Sequence, residues 1–250
     1  MDQKLTTTLS LRSCHCDLFG HWKPSGILEA MQETAGEHSE RFGLSRSVMD
    51  SYGIAWVLSR VKVEMTRLPV AGETVTIETY PTAARHLFFP RSHIFRDESG
   101  AQIGCANSLW VLLDLKERRI VKDERVMEKV PDNPGLAPAA GMPATVRALP
   151  GDAQEGCVVP QFTDLDLNHH VNNTRYLDWC LNALGLETLK EQALMAFDVN
   201  YDAEILPGCE LSTRLTREGE KFAFLGMDGE KRHFGISGRL GERVMQALRI

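Results

Sequence analysis

Residues 164–184 read DLDLNHHVNNTRYLDWCLNAL. Asp166, Asn168 and His170 are spaced two apart between Leu165, Leu167 and Val171, and an extended chain turns residues at that spacing to one side. The spacing therefore predicts a carboxylate, an amide and an imidazole on one face. Asn172 or Asn173 is placed to cap the helix that follows, since a short amide accepts from the free N–H groups of a first turn. Tyr176, Leu177, Cys180, Leu181 and Leu184 then form an apolar stripe at 3.6 spacing, which stops at Gly185. A helix start presents unpaired donors and a partial positive charge that suit a developing oxyanion, so the backbone N–H groups of Val171, Asn172 and Asn173 are candidate donors. Singly, each polar residue is an ordinary turn or capping residue. Three together before an apolar helix mark a candidate active site.

Working outward, a Thr-rich run at 5–12 reads as a strand. Pro24 suits a first helical turn, and Ile27, Leu28, Met31, Ala35, His38 and Phe42 continue an apolar stripe to Gly43. His38 on that stripe reads as a core histidine. Strands are predicted over 54–65, 73–82, 85–97 and 102–115. Residues 131–151 hold five of the eleven prolines and three glycines, a linker or irregular crossing. The order then restarts: a short apolar run, the 164–185 element, and strands over 195–206, 209–218, 221–229, 232–240 and 244–250.

The restart is a repeat at the level of residues. At one constant offset Asp17, Leu18 and His21 fall on Asp166, Leu167 and His170, and Ile27 and Leu28 fall on Tyr176 and Leu177. Two copies of one unit suggest a fused pseudo-dimer: residues 1–130, the linker 131–151, and residues 152–250. The first copy has Phe19 in place of Asn168, and Trp22, Lys23 and Pro24 in place of Val171, Asn172 and Asn173. Its polar set is incomplete, which leaves one working site per chain, in the second half.

Composition is that of an ordinary globular protein, with 43% hydrophobic and 25% charged residues in 250. No run of 18 apolar residues or basic-then-apolar start suggests membrane insertion or secretion, so the cytoplasm is the default expectation. A net charge of -6 argues against a nucleic-acid binder. The six cysteines form no CxxC pair or tight framework, which favours reduced thiols. Cys14, His15, Cys16, Asp17 and His21 lie close together, but their spacing fits no zinc pattern. There is no GxSxG elbow, HExxH pair or phosphate loop, and no cofactor or metal is expected.

At DLNHHVNN, residues 166–173, the chain resembles the acyl-acyl-carrier-protein thioesterases of plants and bacteria, whose pattern is Asp, any, Asn, any, His, Val, Asn, Asn before a long helix. GHWKPSGILEAMQETAGEHSERFG at 20–43 resembles the family's first helix, and WVLSRVKVEMTRLPVAGETVTIETYP at 56–81 resembles the strands after it. The resemblance implies an α+β fold of two tandem hot-dog domains, each a long helix wrapped by an antiparallel sheet. It implies hydrolysis of a fatty acyl thioester on acyl carrier protein, with Asp166, Asn168, His170 and Glu204 as the catalytic set. Asp166 would be nucleophile or base, Asn168 and His170 would orient and polarise, and Glu204 would position water.

It further places the acyl pocket along the first helix, at Ile27, Leu28, Met31 and Ala35. An acidic carrier would dock on basic residues, with Arg85, Arg91, Arg118 and Arg119 as candidates beside Lys116, Lys122 and Arg125. A homodimer is compatible with this reading. Plant members often carry Cys directly after the residue equivalent to Glu204, and this chain has Ile205 there, which removes a Cys-His mechanism at that position. His169 stands where plant relatives commonly have Gln. Three rivals are a hot-dog thioesterase acting on coenzyme A esters, a dehydratase of the same fold, which lacks its His-Glu arrangement here, and a non-enzymatic acyl-binding regulator.

Overall fold

In the computed structural model, which describes residues 3–244, the first long helix, α1, runs Pro24–Arg41. Pro24 opens it, where a missing N–H costs no intrahelical bond. Ile27, Leu28, Met31, Ala35 and His38 are buried along one side. Gly43, at φ +72°, takes the left-handed turn just past its end. The rest of the first half comprises β1 (Leu5–Ser10), α2 (Arg46–Ser51), β2 (Ile54–Met65), β3 (Thr74–Pro81), β4 (Phe89–Arg96), β5 (Gln102–Asp114), β6 (Arg119–Val121) and α3 (Glu124–Met127). The second half adds β7 (Ala153–Val158), α4 (Arg175–Leu184), α5 (Leu186–Glu191), β8 (Gln192–Tyr201), β9 (Leu211–Glu218), β10 (Lys221–Asp228) and β11 (Lys231–Glu242).

The strands form one antiparallel sheet in the order β1-β3-β4-β5-β2-β8-β11-β10-β9-β7, with β6 paired to β5. The halves join where β2 pairs β8, in the register Val61↔Val199, Lys62↔Asp198 and Val63↔Phe197. Alternation turns Val61, Val63, Phe197 and Val199 inward, where all four are buried in one core with Leu28 and Met31 of α1 and Tyr176, Leu177 and Cys180 of α4. Residues 131–151 contain no helix or strand. They run along the sheet, tied down by buried side chains: Asn133 Nδ2 donates to Pro81 O at 2.9 Å, Ser92 Oγ accepts from Ala139 N, and Asn200 Oδ1 accepts from Val146 N at 2.8 Å. The last two bonds satisfy backbone N–H groups that an irregular segment leaves unpaired.

Two strands differ from the expected bounds. The strand predicted over 85–97 begins at Phe89, because Arg85 and Phe88 exchange backbone bonds and His86, at φ +56°, closes a turn. The strand predicted over 195–206 begins at Gln192 and ends at Tyr201. The N–H groups of Asp202 and Ala203 both donate to His233 O, which peels the chain off the sheet and leaves Glu204 in a loop. Helices α2, α3 and α5 and strand β6 were not foreseen, since three to six residues give too little periodicity to read. The strand predicted over 244–250 lies outside the described residues beyond Val244.

Candidate active site

Residues 166–170 form a turn and not the extended strand the spacing predicts. Asp166 N donates to His170 O at 3.0 Å, His169 N donates to Asp166 O at 3.0 Å, and Leu165 bridges Val171. Asp166 Oδ1 accepts the N–H of Asn168 at 2.8 Å, the two-residue reach of an Asx turn. His169 sits at the corner with φ +61°. The polar set is thus gathered by a turn whose carboxylate folds over its own backbone. Asp166 and His170 face each other, Oδ1 to Nδ1, at 3.7 Å. His170 Nδ1 also lies 3.2 Å from Val171 O, an acceptor that places the proton on Nδ1 and leaves Nε2 as a lone pair. Among the described residues, Asp166 Oδ2 is held only by Asn172 Nδ2, at 3.5 Å. Asn168 departs from the expectation: it is exposed, and its Oδ1 accepts from Arg46 of the first half at 3.1 Å.

The helix start also differs in detail. The N-cap position of α4 is Thr174, not Asn172 or Asn173. Asn172 Oδ1 accepts from Thr174 N at 3.0 Å, one residue before the helix. Two of the three candidate oxyanion donors are already used: Val171 N donates to Ile205 O at 2.9 Å and Asn172 N to Asp164 O at 2.8 Å. Asn173 N–H has no acceptor among the described residues and is the donor that remains. Its carbonyl is fixed by Tyr201, whose hydroxyl donates to it at 3.0 Å.

The Val171–Ile205 bond also delivers Glu204 to the same place. Tyr176, buried in the first turn of α4, registers both carboxylates: burial raises its phenol above the ordinary range, and the charges of Asp166 and Glu204 raise it further. Glu204 is held from below by His233, whose Nδ1 lies 3.0 Å from its carbonyl oxygen. From above, the carboxylate is paired with Arg118 at the tip of the β5–β6 hairpin of the first half. Sequence reading missed Arg46, Tyr176, Tyr201 and His233 as neighbours of the site. The aromatic stripe hinted at Tyr176 alone, because the others arrive from α2, β8 and β11, distant in sequence.

Other expected residues divide. A cavity of about 10 Å³, room for roughly one water, is lined by Leu28, Met31, Gln32, His93, Ser108 and Asn173 with Leu58, Val61 and Trp110. Leu28 and Met31 of the expected pocket line it, whereas Ile27 and Ala35 are buried without lining it. Arg85, Arg118 and Arg119 are exposed. Arg91 is not a docking residue: it is buried beneath α1, with Nη1 at 3.0 Å from His38 Nδ1 and 3.3 Å from Thr79 Oγ1. Alternation along β4 turns Arg91, His93 and Phe95 to the helix side together.

The first-half equivalent of the turn is built alike. Asp17 N donates to His21 O at 2.7 Å, Asp17 Oδ1 accepts from Phe19 N at 2.9 Å, Cys16 bridges Trp22, and Gly20 at φ +81° stands where His169 does. Its carboxylate, however, is occupied by Arg243, which follows β11.

Comparison with known proteins agrees with this architecture. The family model for the acyl-ACP thioesterase N-terminal domain matches residues 2–130, and that for the C-terminal domain matches residues 150–237. Acyl-(acyl-carrier-protein) hydrolase FATB3, chloroplastic, of Cuphea viscosissima is 28% identical over 193 residues, covering 71% of this chain and 46% of the relative. Oleoyl-acyl carrier protein thioesterase 1, chloroplastic, of Arabidopsis thaliana is 28% identical over 196 residues, covering 71% and 54%. The chain spans about half the length of the curated relatives it matches. Among solved structures, an acyl-ACP thioesterase from Bacteroides thetaiotaomicron superposes with a TM-score of 0.86 at 21% identity, over 96% of this chain and 98% of that one. The 12:0-ACP thioesterase from Umbellularia californica gives 0.80 at 21%, over 97% and 99%. The fold is the hot-dog fold in tandem, and the chain belongs to the acyl-ACP thioesterase family.

Proposed function

We propose that this protein hydrolyses the thioester of fatty acyl-acyl carrier protein, releasing the free fatty acid and ending chain elongation. The observation that carries the proposal is that the Val171–Ile205 bond brings the Glu204 loop to the turn of Asp166 and His170 at the start of α4, beside an Asn173 N–H with no acceptor among the described residues. Hydrolysis adds water across the acyl carbon–sulfur bond: an oxygen bonds to the carbonyl carbon, the C–S bond breaks, and the departing thiolate takes a proton. Asp166 Oδ2 is the freer oxygen of its carboxylate and serves as nucleophile or as acceptor of the attacking water's proton. His170 Nε2, a lone pair while Nδ1–H is held on a carbonyl, takes up the proton that the water releases and passes it to the departing sulfur. Glu204 orders the water, and Asn173 N–H meets the developing oxyanion. Asn168, held outward by Arg46, acts through the backbone N–H that fixes Asp166.

The second half is accordingly the catalytic domain and the first half the acyl-binding one. The acyl group enters beneath α1 by parting Leu28 and Met31 from Leu58, Val61 and Trp110, a movement that flexible methionine eases. The β5–β6 hairpin, carrying Lys116, Arg118 and Arg119 over Glu204, faces the acidic carrier protein. We also propose a cytoplasmic location, on the expectation stated from the sequence; among the described residues no helix is long and apolar enough to cross a membrane. Turnover of acyl-carrier-protein and coenzyme A esters of one acyl group, measured side by side, tests the function. The carrier-protein ester is expected to have the higher kcat/KM. A preference for the coenzyme A ester would favour that rival, and binding without turnover would favour the acyl-binding regulator.

A further inference from the structure

The cavity beneath α1 has a polar wall that hydrocarbon does not explain. His93 is 1% exposed and its Nε2 lies 3.2 Å from Met31 O, so Nε2 carries the proton. Its Nδ1 is then a lone pair, buried, with no hydrogen-bond partner among the described residues. A buried acceptor left unsatisfied is costly. Complete burial, and after it the neighbouring guanidinium of Arg91, which has no acidic side chain against it among the described residues, push His93 down to about 3. The ring therefore stays neutral at physiological pH, and what it requires is a donor. A carboxylate or ketone oxygen does not supply one, and a hydroxyl does.

The other polar wall groups fit the same ligand. Ser108 is already engaged, accepting from Trp110 Nε1 at 3.0 Å and lying 3.4 Å from Arg91 O. Gln32 is half-buried on α1 with no protein partner among the described residues, and its amide can donate to a ligand oxygen. Asn173 lines the same cavity and belongs to the candidate active site, which puts the orphaned imidazole close to where the thioester carbonyl is held. The space is that of one water, which is also the space of one hydroxyl group.

We propose that this cavity is a hydroxyl subsite, and that the acyl group taken by this protein carries a hydroxyl near its carbonyl end, donating to His93 Nδ1 and accepting from Gln32. The inference rests on the thioesterase reading for the acyl group. It differs from it in naming a substrate class, the hydroxyacyl thioesters.

Equilibrium binding of 3-hydroxydecanoate and decanoate, measured by titration calorimetry, tests the subsite without requiring turnover. One hydrogen bond to a neutral acceptor corresponds to about a 3- to 10-fold preference for the hydroxy acid. In His93→Leu, similar in bulk but without an acceptor, the ratio of the two affinities should fall to about one. Equal affinities in the wild-type protein overturn the proposal whether or not the variant folds. So does binding of neither acid, or a preference that persists in folded His93→Leu. Hydrolysis of the N-acetylcysteamine thioesters of the same two acids, run in parallel, reports on the thioesterase reading by itself. A hydroxyl preference in binding with no hydrolysis of either ester sinks that reading and leaves the subsite standing.

Discussion

Arg243 Nη1 lies 3.0 Å from Asp17 Oδ2, and the same nitrogen lies 3.0 Å from His21 Nδ1. The guanidinium also stacks over Phe19, 4.3 Å from the ring centroid, and donates to Leu189 O and Gln192 O. The turn that in the second half leaves Asp166 Oδ2 loosely held is in the first half filled by a cation from the far end of the chain. The aromatic residue that replaces Asn168 is what that cation packs against. Asp17→Ala should therefore lower stability by about 1–3 kcal/mol, as loss of a charge-assisted bond does, and leave turnover within a few-fold. Asp166→Ala should lower turnover by about 100-fold or more with little change in unfolding. Thermal unfolding and thioester hydrolysis on both variants separate the two roles; a comparable loss of turnover at both positions would contradict a single working site.

The repeat extends to backbone conformation, and this predicts a stabilising change. His169 holds φ +61° at the corner where the first half has Gly20 at φ +81°. A side chain in the left-handed region crowds its own carbonyl, at a cost of about 1–2 kcal/mol that glycine avoids, partly offset by glycine's greater freedom when unfolded. His169→Gly should raise stability by up to about 1 kcal/mol in denaturant unfolding. A loss of stability would mean that the His169 side chain makes a favourable contact in the folded protein.

What the sequence made legible follows from what is local. The helix ends at Gly43 and Gly185, the position of β2, and the offset between the Asp17 and Asp166 turns were readable because each depends on a few adjacent residues. The shape of the 166–170 segment was misread, since two-residue spacing is shared by a strand and by an Asx turn, and only the Asp166 Oδ1 bond to Asn168 N decides between them. Arg91 was misplaced for the opposite reason. An arginine in a strand is usually solvent-facing, and nothing near Arg91 in sequence reveals that His38, fifty-three positions away, waits for it beneath α1. Arg46, Arg118 and His233 reach the site through tertiary contacts that no local pattern encodes.

Acid stability should depend on His93. Its folded pKa is depressed to about 3 by burial and by Arg91, against an ordinary value of 6.5. Between these limits the unfolded chain binds a proton that the folded one does not, so stability is full above about pH 6.5 and declines as pH falls towards 3. One such group contributes a slope of up to about 1.4 kcal/mol per pH unit. Unfolding free energies of His93→Leu between pH 4 and 7 should show a slope shallower by up to that amount. Identical slopes in the two proteins would mean that His93 is protonated in the fold.

Carrier-protein docking on the β5–β6 hairpin should be sensitive to salt and to charge. Lys116 and Arg119 are exposed beside Arg118, and charges separated by more than about 10 Å are largely screened at 0.1 M salt. The double variant Lys116→Glu, Arg119→Glu should raise KM for the carrier-protein ester several-fold at low salt, with kcat retained. KM for an N-acetylcysteamine ester, which carries no acidic protein, should not move. Equal effects on both esters would indicate a structural role for the hairpin and not docking.

Hydrolysis should proceed without any thiol. Ile205 follows Glu204 and is fully buried, a branched apolar side chain whose carbonyl holds Val171 N–H, so it supplies anchoring and no nucleophile. Cys180 is buried in the core beneath α4, and burial raises its thiol well above the ordinary range, which keeps it protonated and inert. Cys157 is exposed on β7, and its Sγ–H donates to Glu210 at 3.3 Å, a hydrogen bond that raises its thiol. Cys209 is the thiol nearest in sequence to Glu204; it is half-buried against the core, just after Gly208 at φ +82°. Glu204, by contrast, keeps a carboxylate whose partner, Arg118, is itself exposed and able to move aside for water. A variant with all six cysteines changed to Ser or Ala, shown to be folded, should retain most of its turnover, whereas Glu204→Ala should lose about 100-fold or more. Loss of hydrolysis in the folded cysteine-free protein, restored by returning Cys209 alone, would transfer the nucleophile's role from Asp166 to a thiol.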